Sequence, residues 1–134
     1  MPHILEQDIR LFSREEAEQM LPLVRSIVRG MMEDHAERQS LLERIAPGKD
    51  APGPDETAGI RREIDALTDR LVEGARELER LGVEFKGIEL GLVDFPTLHA
   101  GQLAYLCWQY GEEGVRFWHP VETGYAGRQR LDDD

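Results

Sequence analysis

Two long stretches of this 134-residue chain carry mostly apolar side chains at alternating spacings of four and three residues. Because an α-helix turns once in about 3.6 residues, this spacing places the side chains on one helical face. The first stretch comprises Ala17, Leu21, Val24, Val28, Met31, His35, Arg38, Leu42 and Ile45, and the second Ile60, Ile64, Leu67, Leu71, Gly74, Leu78 and Leu81. We therefore predict an antiparallel helical hairpin with a coiled-coil-like seam, in which Gly74 allows close approach of the two helices.

The first helix is predicted to span residues 13–46, with a capping signal at its start and a proline inside it. Ser13 and Glu16 have the spacing of a capping box, in which each side chain accepts a hydrogen bond from the other residue's backbone N–H. Pro22 has no backbone N–H and disfavours helical geometry in the residue before it. We expect either a kink near Pro22 or a short helix followed by a second one that begins at Pro22.

The second helix is predicted to span residues 55–81, after an irregular loop. Residues 47–54 contain three prolines and two glycines, a composition that excludes regular structure. Asp55 or Thr57 carries a side chain of the kind that caps a helix start. Gly82 adopts left-handed backbone geometry at low cost, so we expect the helix to end there.

The last third of the chain changes to short runs that are typical of β-strands, separated by glycine or proline. These runs cover residues 83–86, 92–95, 103–110 and 115–119. We predict that residues 83–130 form a β-rich segment with a small antiparallel β-meander. Together with the helical hairpin, this gives an α+β fold in one domain of residues 1–134, because the length suits a single modest core.

The connection between the last two predicted strands decides which side chains share a face of the sheet. A three-residue loop at 112–114 would place Cys107 directly opposite His119. A four-residue loop at 111–114 would instead pair Leu106 with His119 and turn Cys107 to the other face, because a slip of one residue reverses every side chain. The sequence leaves both registers open.

The charge balance argues against two classes of partner. The chain has 16 basic and 27 acidic residues, which gives a formal net charge of −11. Nucleic acids and anionic membranes both attract basic surfaces, so we expect no nucleic acid and no membrane partner. No apolar run approaches the roughly 18 residues that a membrane-spanning helix requires. The sequence indicates no particular small-molecule ligand.

Cysteine content and the first residues favour a cytoplasmic location. A single cysteine cannot form an internal disulfide, and residues 1–12 lack the basic start and apolar run of a signal peptide.

Apolar side chains that flank the helical seams, such as Met20, Ile27 and Val72, need cover from the C-terminal segment, from a second subunit or from both. We therefore expect a homo-oligomer that forms through the helical hairpin.

Several motifs resemble those of the bacterial domain of unknown function 2203 family. They are FSREEA at 12–17, LPLV at 21–24, GLVDFP at 91–96, LCW at 106–108, GE at 111–112, FWH at 117–119 and GYAGR at 124–128. The resemblance covers nearly the whole chain and supports the predicted boundaries. That family has no established activity, so the resemblance assigns no catalytic residue.

The candidate binding residues all lie in the C-terminal segment, where rare and chemically active side chains are concentrated. They are Asp94, Glu112, Trp118, His119 and Arg128. Asp94 can pair with His119 or with Arg128, and the plainer interpretation of such a pair is a structural ion pair. Trp118 can serve in recognition, although bulky aromatic residues on strands more often fill a core.

His119 is the centre of an alternative hypothesis, because a neutral imidazole can bind a metal ion or transfer a proton. Cys107 is its candidate companion as a metal ligand, although a lone cysteine is more often a buried apolar residue. Asp94, His99, Glu112 and Glu122 are the other candidate companions, and none of them forms a familiar metal-binding motif with His119.

Two functions follow from this pattern. The first is an oligomeric binding or accessory module with a site in the C-terminal segment. The second is a small metal-dependent or acid–base enzyme that uses His119 with Asp94, Glu112 or Cys107, and a metal ion is the cofactor that it implies.

Overall fold

The computed structural model describes residues 9–131, which form two helices followed by a five-stranded sheet. The elements are α1 (Arg14–Arg44), α2 (Pro54–Leu81), β1 (Glu84–Gly87), β2 (Leu92–His99), β3 (Gln102–Gln109), β4 (Phe117–Pro120) and β5 (Gln129–Arg130). The strands are antiparallel and lie in chain order across the sheet. This confirms the predicted α+β fold with a helical hairpin and a C-terminal meander. The ends of the predicted domain, residues 1–8 and 132–134, lie outside the described residues.

Helix α1 begins at the predicted capping box and continues through its proline. Ser13 Oγ accepts a hydrogen bond from Glu16 N at 3.0 Å, and Glu16 Oε1 accepts one from Ser13 N at 2.8 Å. The helix is unbroken at Pro22, so the alternative of a second helix that begins there is wrong. Leu21 and Val24 on either side are at most 2% exposed, and their packing stabilises the helix across the one hydrogen bond that proline removes. The kink stays a prediction.

Helix α2 begins earlier than predicted and ends at the predicted glycine. Gly53 is its N-cap and Pro54 is its first residue, so the assignment of Asp55 or Thr57 as the cap is wrong. Proline suits the first helical position because its fixed φ is already helical and its missing N–H would have no partner there. Gly82 has a left-handed φ of 87°, and this confirms the predicted end of the helix.

The two helices come into close contact at Gly74, as predicted. A Cβ atom at Gly74 would lie 2.7 Å from Met31 Cγ of α1, so only glycine fits this crossing without a shift of Met31. Toward the loop end of the hairpin, the helices enclose a separate small core of Leu41, Ile60, Ile64 and Leu67.

The main core lies between α1, the end of α2 and one face of the sheet. It consists of Phe12, Ala17, Leu21, Val24, Val28, Met31, Leu78, Val83, Val93, Phe95, Leu106, Trp108 and Val115. Val93 pairs with Trp108 and Phe95 with Leu106, so these four residues share the face that packs on the hairpin. The alternate residues of each strand therefore point to the opposite face, which we call the outer face.

The register between β3 and β4 differs from both predicted alternatives. His119 pairs with Tyr105, and Cys107 pairs with Phe117. The connection is longer than three or four residues because Val115 is drawn into the main core, where it is 0% exposed, instead of continuing the strand. Relative to the pairing of Cys107 with His119, the strands are shifted by two residues, and an even shift keeps side chains on the same face. Cys107 and His119 thus share the outer face as diagonal neighbours.

Within residues 9–131, no helix combines the length and the apolar character that a membrane span requires.

Candidate metal centre

Three neighbouring strands bring Asp94, Cys107 and His119 together on the outer face. Asp94 of β2 pairs directly with Cys107 of β3, and His119 of β4 lies diagonally across from Cys107. The three side chains are buried, with exposures of 2%, 0% and 2%. One donor atom from each, an oxygen, a sulfur and a nitrogen, lies within 4.8 Å of the other two. The meander therefore assembles a compact group of mixed donor atoms.

The hydrogen bonds of His119 define where its protons lie. Its Nδ1 is 2.8 Å from the backbone oxygen of Pro120, which can only accept, so Nδ1 carries a proton and donates. Its Nε2 is 3.0 Å from Asp94 Oδ2. One proton lies between this nitrogen and this oxygen, held by one atom or the other. The imidazole is thereby fixed in orientation at both ring nitrogens.

Burial is the largest influence on the pKa values of Asp94 and Cys107, the two acidic side chains of the three-donor group. Burial raises the pKa of Asp94 above its ordinary value, and the interactions with His119 partly oppose this shift. Burial, reinforced by the charge of Asp94, raises the pKa of the Cys107 thiol to about 12. The second carboxylate oxygen, Asp94 Oδ1, is buried without a hydrogen-bond partner among residues 9–131. Near neutral pH the group therefore holds a neutral thiol beside an incompletely satisfied carboxyl group.

Tyr105 lies beside His119 on the outer face. Its ring centroid is 5.4 Å from that of His119, and its hydroxyl donates a hydrogen bond to Glu84 Oε2 of β1 at 2.9 Å. Because Glu84 pairs with Asp94, the phenol reaches from β3 across β2 to β1. Lys86 Nζ is 2.9 Å from Glu84 Oε1 and extends this polar cover. Sequence reasoning did not identify Tyr105, since its position next to His119 depends on the strand register.

Glu112 and Arg128 form an ion pair beside the three donors. Arg128 Nη2 donates to both carboxylate oxygens of Glu112 at 2.8 Å, and it lies 3.4 Å from the Cys107 backbone oxygen. Glu112 Oε1 also accepts a hydrogen bond from the backbone N–H of Gln109 at 2.9 Å. Of the two partners proposed for Asp94, the structure therefore pairs His119 with it, while Arg128 binds Glu112.

Trp118 is not part of this group. It alternates with His119 along β4 and so lies on the helix-facing side of the sheet, where its ring stacks on His99 with a centroid distance of 3.9 Å. His99 and Glu122 line a shallow cleft with Trp118 and are likewise outside the three-donor group.

The chemistry open to Asp94, Cys107 and His119 is metal coordination or proton sharing. Carboxylate oxygen, thiolate sulfur and imidazole nitrogen are all ligands for transition metals in proteins. A ligating histidine commonly donates its second ring N–H to a backbone carbonyl, and Pro120 supplies that carbonyl here.

Comparisons with known proteins identify a family but assign no activity to the chain. Neither the curated proteins nor the solved structures contain a significant match. The sequence pattern of the family described as "Uncharacterized conserved protein (DUF2203)" matches residues 10–131, which include both helices and all five strands. This protein therefore belongs to the DUF2203 family.

Proposed function

We propose that this protein is a metal-binding module that holds one Zn²⁺ ion between Asp94, Cys107 and His119. The observation that carries the proposal is the convergence of three different donor atoms, from three strands, within 4.8 Å of one another. Carboxylate prefers hard cations and thiolate prefers soft ones, whereas Zn²⁺ accepts oxygen, nitrogen and sulfur ligands together.

The distance between the oxygen and nitrogen donors suits a small ion. Zn²⁺ bonds to its ligands at about 2.0–2.3 Å, which requires donor atoms roughly 3–4 Å apart. Asp94 Oδ2 and His119 Nε2 are 3.0 Å apart, and the ion would take the place of the proton between them. Asp94 Oδ1 is available as a further ligand atom because no described residue donates a hydrogen bond to it.

The burial of the three ligands favours a closed site over a catalytic one. A catalytic zinc keeps one position open to water or substrate. Here the most exposed ligand has only 2% of its surface accessible, so a substrate would need a substantial opening of the protein to reach the ion. Glu112 is bound to Arg128 and is not free to act as an acid or base beside His119. These contacts support a binding module in preference to the alternative of an acid–base enzyme.

A thiolate ligand also fits the proposed cytoplasmic location. Cys107 is free and buried. Reducing conditions keep such a thiol available for a metal ion, whereas oxidising compartments favour disulfides.

The test is metal analysis of protein purified without a histidine tag and equilibrated with Zn²⁺. We expect stoichiometric zinc in the wild type, loss of zinc in His119→Ala and retention of zinc in His99→Ala. His99 is a matched control because it is an aromatic-stacked histidine of the same sheet that lies outside the three-donor group. A wild type without stoichiometric zinc, or equal retention by the two variants, would contradict the proposal.

We also propose that the module self-associates through the hairpin. An apolar groove of about 280 Å³ lies between the two helices and β1, and Leu71, Val72 and Phe85 contribute to its lining. Val72 is 43% exposed. A second copy is the proposed occupant because α1 itself offers exposed apolar side chains, Leu23 and Leu42, which are 46% and 37% exposed.

Sedimentation velocity at micromolar concentration tests self-association. We expect a dimer or larger species for the wild type and a monomer for Val72→Glu. Val121→Glu is the control, because Val121 is 47% exposed but lies after β4 and not on the hairpin. A monomeric wild type would overturn this part of the proposal.

A further inference from the structure

The outer face of the sheet needs a cover that the helices do not provide. The hairpin packs on the face that carries Val93, Phe95 and Trp108, whereas the three donors point away from it. Their near-complete burial must therefore come from other parts of the chain. Tyr105 contributes on the side of β1. The residues that follow β4 contribute on the side of β5.

The segment of residues 121–131, which we call the strap, leaves β4, passes through a 3₁₀ turn at Gly124–Gly127 and returns as β5. Only Phe117 and Trp118 of β4 pair with it in the sheet. No residue of the strap is fully buried. Segments with few buried apolar contacts open more readily than a core strand. The strap is attached by its short pairing with β4, by Leu131, which packs against the main core, and by polar and stacking contacts of its other side chains.

Arg128 makes the side-chain contacts that join the strap to the neighbourhood of the three donors. Its guanidinium carbon is 4.0 Å from the ring centroid of Phe117 and 5.0 Å from that of Tyr125. One terminal nitrogen binds Glu112 and approaches the Cys107 backbone oxygen. The Arg128 side chain is 13% exposed, and its guanidinium electrostatically influences the Cys107 thiol. Arg128 therefore joins the strap, the β3–β4 connection and the site at one point.

We infer that the strap is a lid over the metal centre, that the Arg128–Glu112 pair holds it closed, and that its opening governs access to Cys107 and exchange of the bound ion. This inference rests on the proposed function for the metal, whereas the lid itself rests on the contacts of Arg128. Arg128 is a positioning residue in this scheme, because it has no place among the three proposed ligands and acts through Glu112 and the Cys107 side chain.

The lid is tested by the rate at which a thiol reagent modifies Cys107 in protein freed of metal by a chelator. We expect Arg128→Met, which keeps the stem but removes the charge, to raise this rate on the order of tenfold or more, because two charge-assisted hydrogen bonds are lost. Glu112→Gln should raise it less, since the amide oxygen still accepts a hydrogen bond. Arg130→Met is the matched control, because Arg130 lies in the same strap, 5.8 Å from the Phe117 ring, and makes no described bond to Glu112.

The dependence of the labelling rate on urea separates lid opening from unfolding. Local opening exposes little surface, so its rate should rise only weakly with low urea concentrations, whereas labelling through global unfolding follows the full unfolding slope. An unchanged rate in Arg128→Met, an equal rise in Arg130→Met, or a full unfolding slope in the wild type would overturn the lid.

Release of Zn²⁺ into a chelator provides the second readout. We expect Arg128→Met to accelerate release by a factor similar to that seen in thiol labelling. If the wild type binds no zinc, the proposed metal function fails and labelling of metal-free protein still decides whether the strap is a lid. If zinc binds but leaves both proteins at the same rate, the role of the strap in metal exchange is overturned while the metal site stands.

Discussion

Two pairs, each of a carboxyl group and a basic side chain, lie side by side on the outer face, and they differ in how the chain holds them. Asp94 of β2 and His119 of β4 have short side chains on strands that both pair with β3, and the sheet register alone brings them to 3.0 Å. Glu112 and Arg128 have long side chains on a connection and on the strap, and they meet at 2.8 Å. The first pair has side chains 4% and 3% exposed, and the second 22% and 13%.

This difference distinguishes the pair that forms the candidate metal site from the pair that holds the strap in place. A pair fixed by backbone register keeps its donor atoms in place when its shared proton leaves, which is what an incoming metal ion requires. A pair formed by flexible side chains on separate segments fixes one segment to the other and is lost when either moves. Two pairs of similar chemistry therefore have different roles. Asp94 and His119 are suited to metal coordination, and Glu112 and Arg128 attach the strap.

The largest effect is expected from removal of one partner of the buried pair. His119→Ala should lower the free energy of unfolding of the metal-free protein by about 3–5 kcal/mol, because it leaves Asp94 buried without its partner. Urea denaturation followed by circular dichroism measures this change.

Asp94→Asn sharpens this test because it separates stability from metal binding. The amide can still donate a hydrogen bond to His119 Nε2, so we expect a loss of about 1 kcal/mol together with loss of zinc. A His119→Ala variant that unfolds like the wild type would show that the pair contributes nothing to the fold.

A smaller effect is expected at the second pair. Glu112→Gln should cost about 1–2 kcal/mol of unfolding free energy, because the Glu112–Arg128 pair is partly screened by solvent but well placed for hydrogen bonding. A double-mutant cycle with Arg128→Met isolates the coupling between the two side chains. A coupling energy as large as the loss in His119→Ala would contradict the distinction between the pairs.

The helices could be predicted from sequence because their determinants are local. The capping box at Ser13, the apolar stripes and the left-handed Gly82 each act within a few residues of the position that they determine. The start of α2 was placed too late because Pro54, read as part of the loop, is in fact compatible with the first helical position.

The site was only partly predictable because it depends on non-local packing. All three donors were identified as candidates, but their convergence depends on how many residues separate β3 from β4. Burial of Val115 in the main core and the bonds of Glu112 determine that spacing, and neither has a local sequence signal. The two-residue β5 is shorter than any periodic pattern can indicate.

Near neutral pH the smallest effect in the comparison belongs to Cys107, the donor beside both pairs, because its contribution to stability changes only in alkaline solution. The pKa of its thiol rises from 9.0 to about 12 on folding. The unfolded chain therefore loses the thiol proton first as the pH rises, so the thiol's contribution to stability is complete below pH 9.0 and is lost between 9.0 and about 12. Within this window the loss amounts to about 1.4 kcal/mol per pH unit.

Cys107→Ala isolates this contribution in the metal-free protein. Burial also raises the pKa of Tyr105, which acts in the same direction, so the wild type alone cannot separate the two groups. We expect the difference in unfolding free energy between wild type and Cys107→Ala to be constant near neutral pH. Above pH 9.0 the wild type should lose unfolding free energy relative to Cys107→Ala. Parallel pH profiles would mean that the thiol reaches solvent in the folded protein, which would in turn contradict its closure beneath the strap.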